Sequence, residues 1–263
     1  MKGFLGYLNN RLKKSIAMDI IWIVYAIFCL GSVIYFACIS QTRNVLMCIG
    51  YLLFIPLVWI VEYLFKIRIV PLLGVMLYAL MAGGVLGAGY DLYTIFPLFD
   101  MILHCMSGVI FACVGFGLMK LFFNKEDKKS FFACLLFGVF FSIAIAGIWE
   151  IFEFTSTRLL GYDMQEDGLV YGFNSYFLSG SHNVAYEVNE ITKTIIYYGN
   201  NEILVIDGYL DLGLIDTMAD MIICLVGALF FMVLSIFSYY KVPVINEWLI
   251  PLKVDKSLNK PAK

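Results

Sequence analysis

Six apolar stretches of membrane-spanning length run through the chain and leave little sequence for anything else. A helix needs about 20 apolar residues to cross the hydrocarbon core of a bilayer. The stretches lie at about 16–39, 44–63, 69–90, 97–123, 131–157 and 213–240. Of the 263 residues, 62% are hydrophobic and only 14% are charged, which excludes an ordinary soluble domain. The sequence therefore predicts an all-α integral membrane protein, a bundle of six transmembrane helices.

The predicted domain organisation is one membrane domain with short ends. Residues 16–240 form the single six-helix membrane domain. Residues 1–15 are basic and lack a short apolar run followed by a cleavage site, so we expect a cytoplasmic amphipathic lead-in. Residues 241–263 are expected to form a cytoplasmic basic tail. The net charge of −2 points to no class of partner, and no nucleic acid is expected.

The distribution of basic residues predicts the orientation. Lysine and arginine concentrate in the cytoplasmic loops of membrane proteins. With both termini inside, only Arg43, Arg158 and Lys193 of the 18 basic residues fall in outer segments. The sequence therefore predicts a multi-pass protein of the bacterial plasma (inner) membrane with an N-in, C-in topology.

The segment 160–212 is the long extracytoplasmic loop of this topology. It is polar and holds eight acidic residues against one lysine. Residues 192–207 contain two short runs with β-propensity around a Gly-Asn-Asn turn, a pattern typical of a β-hairpin. The loop is interpreted either as a lid over a site or as a connector that rests on the membrane surface.

Three of the apolar stretches carry pairs of ionisable residues at helical spacing. Residues three or four apart share one face of a helix. The pairs are Asp100 with His104, Glu150 with Glu153, and Asp216 with Asp220. His104, Glu150 and Asp220 each lie seven residues from a predicted outer helix end, which at about 1.5 Å per residue is roughly 10 Å below the outer boundary of the membrane. Ionisable groups inside a bilayer are costly and usually mark a functional site with partners.

Crowded carboxylates at that depth need compensation by protons, by bound cations or by a water-filled cavity. A divalent metal ion is one such cation, and the predicted ligands are Asp100, His104, Glu150, Glu153, Asp216 and Asp220. Oxygen ligands favour Mg²⁺, Ca²⁺ or Mn²⁺, whereas a histidine beside them also permits Zn²⁺ or iron. The alternative is a set of polar groups that only hydrogen-bond the helices together.

Catalytic roles are expected for members of the same pairs. Glu150, Glu153 and His104 are the predicted catalytic residues, with a glutamate transferring protons. Ser107 lies close to His104, but a serine in a membrane helix more often bonds its own backbone. Trp149 is expected to pack or to anchor the helix.

The motifs that carry these residues resemble a known family. They read Asp100-x-x-x-His104-x-x-Ser107-Gly108, Trp149-Glu150-x-x-Glu153, and Gly213-Leu214-Ile215-Asp216-Thr217-Met218-x-Asp220-Met221 followed by Gly227-Ala228. This set resembles the YjdF-like bacterial integral membrane proteins of unknown function and is more distantly similar to the VanZ-like membrane family. The resemblance implies the membrane architecture and the choice of polar residues, and it supplies no reaction. Such proteins often carry an asparagine at the position of Cys224.

Three functions from different classes fit these features. The first is an enzyme that uses a divalent metal ion on a membrane lipid or a lipid-linked cell-envelope precursor. The second is a proton-coupled transporter or flippase, for which a homo-oligomer would supply the helices that a six-helix chain lacks. The third is a non-catalytic membrane scaffold or sensor whose acidic outer loop binds a cation or an envelope component.

Overall fold

Helices of membrane-spanning length dominate the protein. The computed structural model describes residues 4, 6–8, 16–65, 67–123, 127–240 and 252–253. Within these residues, six helical segments are long and apolar enough to cross a membrane: Ile16–Cys38, Thr42–Phe65, Pro71–Gly89, Phe99–Lys120, Lys128–Leu160 and Leu214–Tyr240. The predicted six-helix architecture is confirmed in this sense. Most of the predicted lead-in, 1–15, and of the predicted tail, 241–263, lies outside the described residues.

The individual elements subdivide these segments. The helices are α1 (Ile16–Cys38), α2 (Thr42–Leu52), α3 (Phe54–Phe65), α4 (Pro71–Gly84), α5 (Leu92–Ile95), α6 (Phe99–Lys120), α7 (Lys128–Leu160), α8 (Tyr176–Ser179) and α9 (Leu214–Tyr240). A π-helical turn, Val85–Gly89, continues α4. The strands are β1 (Ile67–Arg68), β2 (Gly168–Val170), β3 (Phe173–Ser175), β4 (Tyr186–Val188), β5 (Thr194–Tyr198), β6 (Glu202–Ile206), β7 (Tyr209–Asp211) and β8 (Leu252–Lys253).

The chain divides into two compact units, Met1–Gly147 with Met221–Lys263, and Ile148–Asp220. The first unit, called here the helical unit, has an apolar core built from several of its helices. Fully or almost fully buried members of that core include Tyr25, Leu73, Ile110, Leu135 and Phe231. The second unit, called here the loop unit, contains the C-terminal part of α7, strands β2 to β7 and the first turns of α9.

Close helix contacts in the helical unit form where glycines face a neighbouring backbone. A Cβ atom added to Gly108 of α6 would clash with the carbonyl group of Cys224 on α9. A Cβ atom added to Gly227 of α9 would clash in the same way with the carbonyl group of Cys105. Small residues let membrane helices approach closely enough for dispersion contacts along their whole length. The α6–α9 contact therefore depends on the absence of side chains at these two positions.

Polar side chains strengthen the same helix junction. Ser142 of α7 is fully buried, and its hydroxyl group donates to the carbonyl oxygen of Gly108 at 3.0 Å. The sulfur atom of Cys224 lies 3.8 Å from the same hydroxyl oxygen. A hydrogen bond between helices satisfies a group that lipid would leave unpaired. Ser142 thus links α7 to α6 at the level where α6 meets α9.

The outer faces of the helices are apolar. In α1, Ile20, Ile27 and Ile34 form one stripe at a seven-residue spacing and are 57%, 64% and 65% exposed. Contiguous apolar surface of this kind is rare on soluble monomers. The stripe is the surface expected of a helix whose solvent is lipid.

A buried acid in the helical unit is satisfied locally. Glu62 of α3 is only 1% exposed. Its carboxylate accepts hydrogen bonds from the Tyr7 hydroxyl group at 2.8 Å and from the Ile69 backbone N–H at 2.9 Å. These bonds offset the cost of burying the charge. Glu62 therefore has a structural role that needs no ligand.

Short antiparallel strand pairs organise the loop unit. β2 pairs with β7, β3 with β4, and β5 with β6. β5 and β6 flank the segment from Gly199 to Asn201, where both of these end residues have positive φ. Positive φ suits glycine and asparagine in tight turns. The β2–β7 pair brings two helices together at their ends, because β2 follows the loop after α7 and β7 precedes α9.

Candidate functional site

Three buried carboxylates come together in the loop unit. Glu150 and Glu153 lie one turn apart on α7, and Asp220 lies on α9. One carboxylate oxygen of each residue lies within 4.8 Å of the other two. The exposed fractions of the three residues are 7%, 7% and 2%. Half of the predicted metal ligands thus meet at one point, called here the carboxylate cluster.

Strand pairing and a turn bring α9 to this position. In the β2–β7 pair, Gly168 lies opposite Asp211, so the chain that enters α9 runs beside the loop that leaves α7. Gly213, with φ of +90°, turns the chain into the helix. A side chain at this position would be strained and would also collide with Gln165. The geometry of this turn fixes which face of α9 presents Asp220.

The first turn of α9 is capped from the strand before it. The Asp211 carboxylate accepts a hydrogen bond from the Ile215 backbone N–H at 2.9 Å. The first N–H groups of a helix have no partner within the helix, and an acceptor there stabilises its start. The cap anchors α9 in the register that places Asp220 one turn below Asp216.

Trp149 does more than pack against its neighbours or anchor the helix. The indole Nε1–H group donates to Oε1 of Glu153 at 2.8 Å. The expectation that Trp149 packs or anchors is therefore incomplete, because its indole also holds a carboxylate of the cluster. The spacing of four residues between the tryptophan and the glutamate is the signal that was available. A hydrogen bond of this kind fixes the orientation of the Glu153 carboxylate.

We predict that Trp149→Phe weakens divalent-cation binding by about 10–100-fold, the usual effect of removing a partner that orients a ligand. Calorimetric titration of the purified protein with Mn²⁺ measures the change. Trp22→Phe is the matched control, because Trp22 donates to the Asp19 carboxylate at 3.2 Å in the other unit. Equal affinities in the two variants would contradict the proposed role of Trp149.

Asp216 contacts the loop after α7. Its Oδ2 atom accepts a hydrogen bond from the Glu166 backbone N–H at 3.1 Å, and the residue is half-buried. The bond connects the start of α9 to the segment before β2. The assignment of Asp216 as a metal ligand stays a prediction.

Asp100 and His104 pair with each other on α6, in the helical unit. The His104 Nε2 and Asp100 Oδ2 atoms are 3.6 Å apart, and His104 is 8% exposed. The Ser107 hydroxyl group donates to the His104 carbonyl oxygen at 2.8 Å, the backbone bond expected of a serine in a membrane helix. The assignment of His104 and Asp100 to a metal site and of His104 to catalysis stays a prediction.

A cavity of about 480 Å³ adjoins the carboxylate cluster. Glu150 belongs both to the cluster and to the cavity wall. The cavity is lined by Glu150, Ile151, Phe154, Thr157, Arg158, Asp163, Gln165, Asp167, Leu212, Leu214 and Thr217. Its size is within the range of small-molecule sites. A ligand in this cavity would have one end beside Glu150.

Several cavity residues form a polar network that sequence patterns did not reveal. Thr157 accepts hydrogen bonds from the backbone N–H groups of Met164 at 3.1 Å and Gln165 at 3.3 Å. The Gln165 amide group donates to the Thr217 hydroxyl oxygen at 2.8 Å. These residues come from α7, the following loop and α9, so no regular spacing relates them. Only the folding of the loop back onto the helix ends places them together.

Two loop carboxylates give the cavity a negative side. Partial burial and the neighbouring carboxylate of Asp167 raise the pKa of Asp163 above its ordinary value. Both effects disfavour the ionised form of Asp163. A cation placed between the two aspartates would remove this repulsion.

A comparison with protein families places the chain among predicted membrane proteins. Residues 20–172, more than half of the chain, match the family described as Predicted membrane protein (DUF2238). The matched segment includes Asp100, His104, Glu150 and Glu153, and it ends before Asp216. No curated protein and no solved structure matches the chain.

Proposed function

We propose that the chain, which belongs to the DUF2238 family of predicted membrane proteins, is a divalent-cation-dependent enzyme acting on a membrane lipid or a lipid-linked envelope precursor. The observation that carries the proposal is the cluster of Glu150, Glu153 and Asp220 at the edge of a cavity. Ionisable groups buried in membrane helices usually mark a functional site, and this favours catalysis or transport over a scaffold.

The carboxylate cluster suits a hard divalent cation. Carboxylate oxygens are the ligands that Mg²⁺, Mn²⁺ and Ca²⁺ prefer. Three carboxylates within one ligand sphere repel each other unless a positive charge compensates them. Glu150, Glu153 and Asp220 would hold the ion, and the Trp149 indole would orient Glu153. When bound, such a cation supplies Lewis-acid activation of an ester or phosphoryl group.

The cavity supports a substrate that is partly polar and partly apolar. Its apolar residues Ile151, Phe154 and Leu214 are 66%, 51% and 67% exposed, so they face the surroundings of the protein. Its polar residues lie at the loop between α7 and β2. A lipid presents the same combination of polar headgroup and apolar chains.

The proposed location is a bacterial plasma membrane, with both termini in the cytoplasm and the loop unit outside. The support is the concentration of lysine and arginine in the segments that this topology places inside. On this proposal the carboxylate cluster lies in the outer leaflet. Its depth of roughly 10 Å corresponds to the level of headgroups and upper acyl chains.

Metal content and lipid turnover, measured in parallel, test the proposal. Detergent-purified protein is incubated with Mg²⁺, Mn²⁺, Ca²⁺ or Zn²⁺ singly, and bound metal is measured after removal of the excess. The same protein is reconstituted in liposomes of bacterial lipids, which are analysed by mass spectrometry with and without EDTA. We expect near-stoichiometric metal and an EDTA-sensitive change in one lipid species. Bound metal with unchanged lipids would contradict the proposed enzymatic activity but would support the proposed cation site.

A proton-coupled transporter is the second candidate, favoured by the same clustering of three acids. Carboxylates inside a membrane bundle can exchange protons as part of a transport cycle. Protein that binds no metal but moves a lipid across liposomes only under a pH gradient would replace the enzyme proposal with this one.

A further inference from the structure

We propose that the cavity beside Glu150 recognises the zwitterionic headgroup of an aminophospholipid, with Arg158 binding the phosphate and Asp163 and Asp167 binding the primary ammonium. This inference rests on the proposed function, and it names the substrate class of that site. It depends on the charges, the apolar surface and the aromatic content of the cavity wall.

The charges of the cavity wall favour a ligand that carries both signs. Arg158 is the basic residue among the described residues that line the cavity, and Asp163 and Asp167 are acids of the loop that follows α7. A phosphate group matches the planar donors of a guanidinium group. An anionic headgroup without an amine would satisfy Arg158 but would be repelled by the two aspartates. A zwitterionic headgroup places each of its charges against the opposite sign.

The two aspartates are suited to an ammonium group. Partial burial, together with repulsion from the Asp167 carboxylate, already raises the pKa of Asp163. A primary ammonium has three N–H donors and pairs with two carboxylates at once. Its binding would offset the repulsion, so the ligand charge and the charge of the protein are complementary.

The amine is a primary ammonium rather than a quaternary one. Quaternary ammonium groups are recognised by cages of several aromatic rings. Among the described residues that line the cavity, Phe154 is the aromatic one, and the Arg158 guanidinium carbon lies 5.9 Å from the centre of its ring. One ring that already contacts a cation does not form such a cage. Ethanolamine-type headgroups therefore fit better than choline-type headgroups.

The apolar surface provides a place for acyl chains. Ile151 and Phe154 of α7 and Leu214 of α9 line the cavity and are largely exposed. All three belong to helical segments long and apolar enough to cross a membrane. Acyl chains against these side chains would continue into the surrounding lipid, whereas a soluble amine phosphate would leave them exposed to water.

Lipid binding by the full-length protein tests the inference. The purified protein is titrated in EDTA with dihexanoyl forms of phosphatidylethanolamine, phosphatidylcholine and phosphatidylglycerol, and bound lipid is counted by native mass spectrometry. We expect phosphatidylethanolamine to bind at least about 10-fold more tightly than the other two, the scale of one charge-assisted hydrogen bond. Equal affinities for the three lipids would overturn the inference.

Variants test which residues bind the phosphate of the headgroup and which bind its ammonium group. Replacing both Asp163→Asn and Asp167→Asn should remove the preference for ethanolamine and strengthen binding of phosphatidylglycerol. Arg158→Gln should weaken the binding of all three lipids by a similar factor. The matched control replaces Glu187→Gln and Glu202→Gln, acids of β4 and β6 that do not line the cavity. A control that loses the preference as fully as the aspartate variant would contradict the assignment.

Two further measurements are needed. The first distinguishes a lipid from a soluble phosphoethanolamine as the ligand, and the second distinguishes failure of this inference from failure of the enzyme proposal. Soluble phosphoethanolamine that binds as tightly as the short-chain lipid would overturn the assignment to a lipid. The Glu153→Gln variant should lose cation binding and keep the headgroup preference. A preference in protein that binds no cation would contradict the enzyme proposal alone. Cation-dependent lipid turnover without any headgroup preference would contradict this inference alone.

Discussion

Asp220→Asn is expected to abolish tight divalent-cation binding and, in the same protein, to raise the stability of the cation-free state. Asp220 is 2% exposed, and one of its carboxylate oxygens lies within 4.8 Å of a carboxylate oxygen of Glu150 and of Glu153. Without a cation the three carboxylates repel each other, and asparagine keeps the shape of the side chain while it removes one charge. With a cation the same charge is one of the ligands. The two effects therefore have opposite signs.

The expected sizes follow from known ranges. Loss of a partner that merely orients a ligand costs about 10–100-fold in metal affinity, so loss of a ligand should cost at least about 100-fold. In the wild-type protein, a cation at 100 times its Kd should add about 2.7 kcal/mol to the free energy of unfolding. That gain should vanish in Asp220→Asn. Thermal unfolding in detergent, with EDTA and then with increasing Mn²⁺, measures both quantities at one pH.

Glu187→Gln provides the control for Asp220→Asn, because it neutralises an exposed acid of β4 in the same unit. We expect it to keep the wild-type response to Mn²⁺. A wild-type response in Asp220→Asn would show that this residue is not a ligand. If wild-type protein gains no stability from any divalent cation and Asp220→Asn is no more stable than wild type in EDTA, the carboxylates are compensated by protons, which favours the transporter.

Gly108→Ala is expected to destabilise the protein strongly, although alanine favours a helix over glycine. The gain in helix propensity is at most about 1 kcal/mol. Against it, the new methyl group would clash with the Cys224 carbonyl group on α9, and a backbone atom cannot rotate away as a side chain can. Overpacking of a tight core typically costs about 1–3 kcal/mol, and here a forced separation would also reduce contacts along the whole of the α6–α9 junction. The clash is therefore expected to outweigh the gain in propensity.

Thermal unfolding in detergent also tests this prediction, with Gly31→Ala and Gly147→Ala as controls. Both control glycines lie within helices, α1 and α7, and a Cβ atom at either position would have nothing within 4 Å. We expect the controls to unfold at the wild-type temperature or above it, and Gly108→Ala several degrees below. Gly227→Ala should resemble Gly108→Ala, because it removes the reciprocal contact with Cys105. A Gly108→Ala variant as stable as the controls would contradict the close α6–α9 contact.

The helical architecture follows from the sequence because membrane length and apolar composition are local properties. The predicted stretch 213–240 corresponds to Leu214–Tyr240, and the stretch 131–157 lies inside Lys128–Leu160. The start of the latter helix extends to Lys128 because the Asp127 carboxylate accepts the Ser130 backbone N–H at 2.8 Å. Such a cap adds a polar first turn that hydropathy alone does not include.

The candidate site was predicted in part, for a related reason. Helical periodicity shows that Glu150 and Glu153 share a face, and so do Asp216 and Asp220, because the spacing within one helix is fixed. Periodicity does not fix the rotation of one helix against another. The turn at Gly213 and the pairing of β2 with β7 set that rotation for α9, so that Asp220 reaches the cluster while Asp216 binds the Glu166 backbone.

The sequence by itself determined six helices of membrane-spanning length and the stripes on which their acids lie, because both depend on residues close together along the chain. The tertiary structure decided which acids meet and that a cavity with Arg158, Asp163 and Asp167 adjoins the cluster. These features join residues that are far apart in the loop unit. Their placement depends on strand register, a turn with positive φ and the folding of the loop onto the helix ends, which leave no periodic pattern in the sequence.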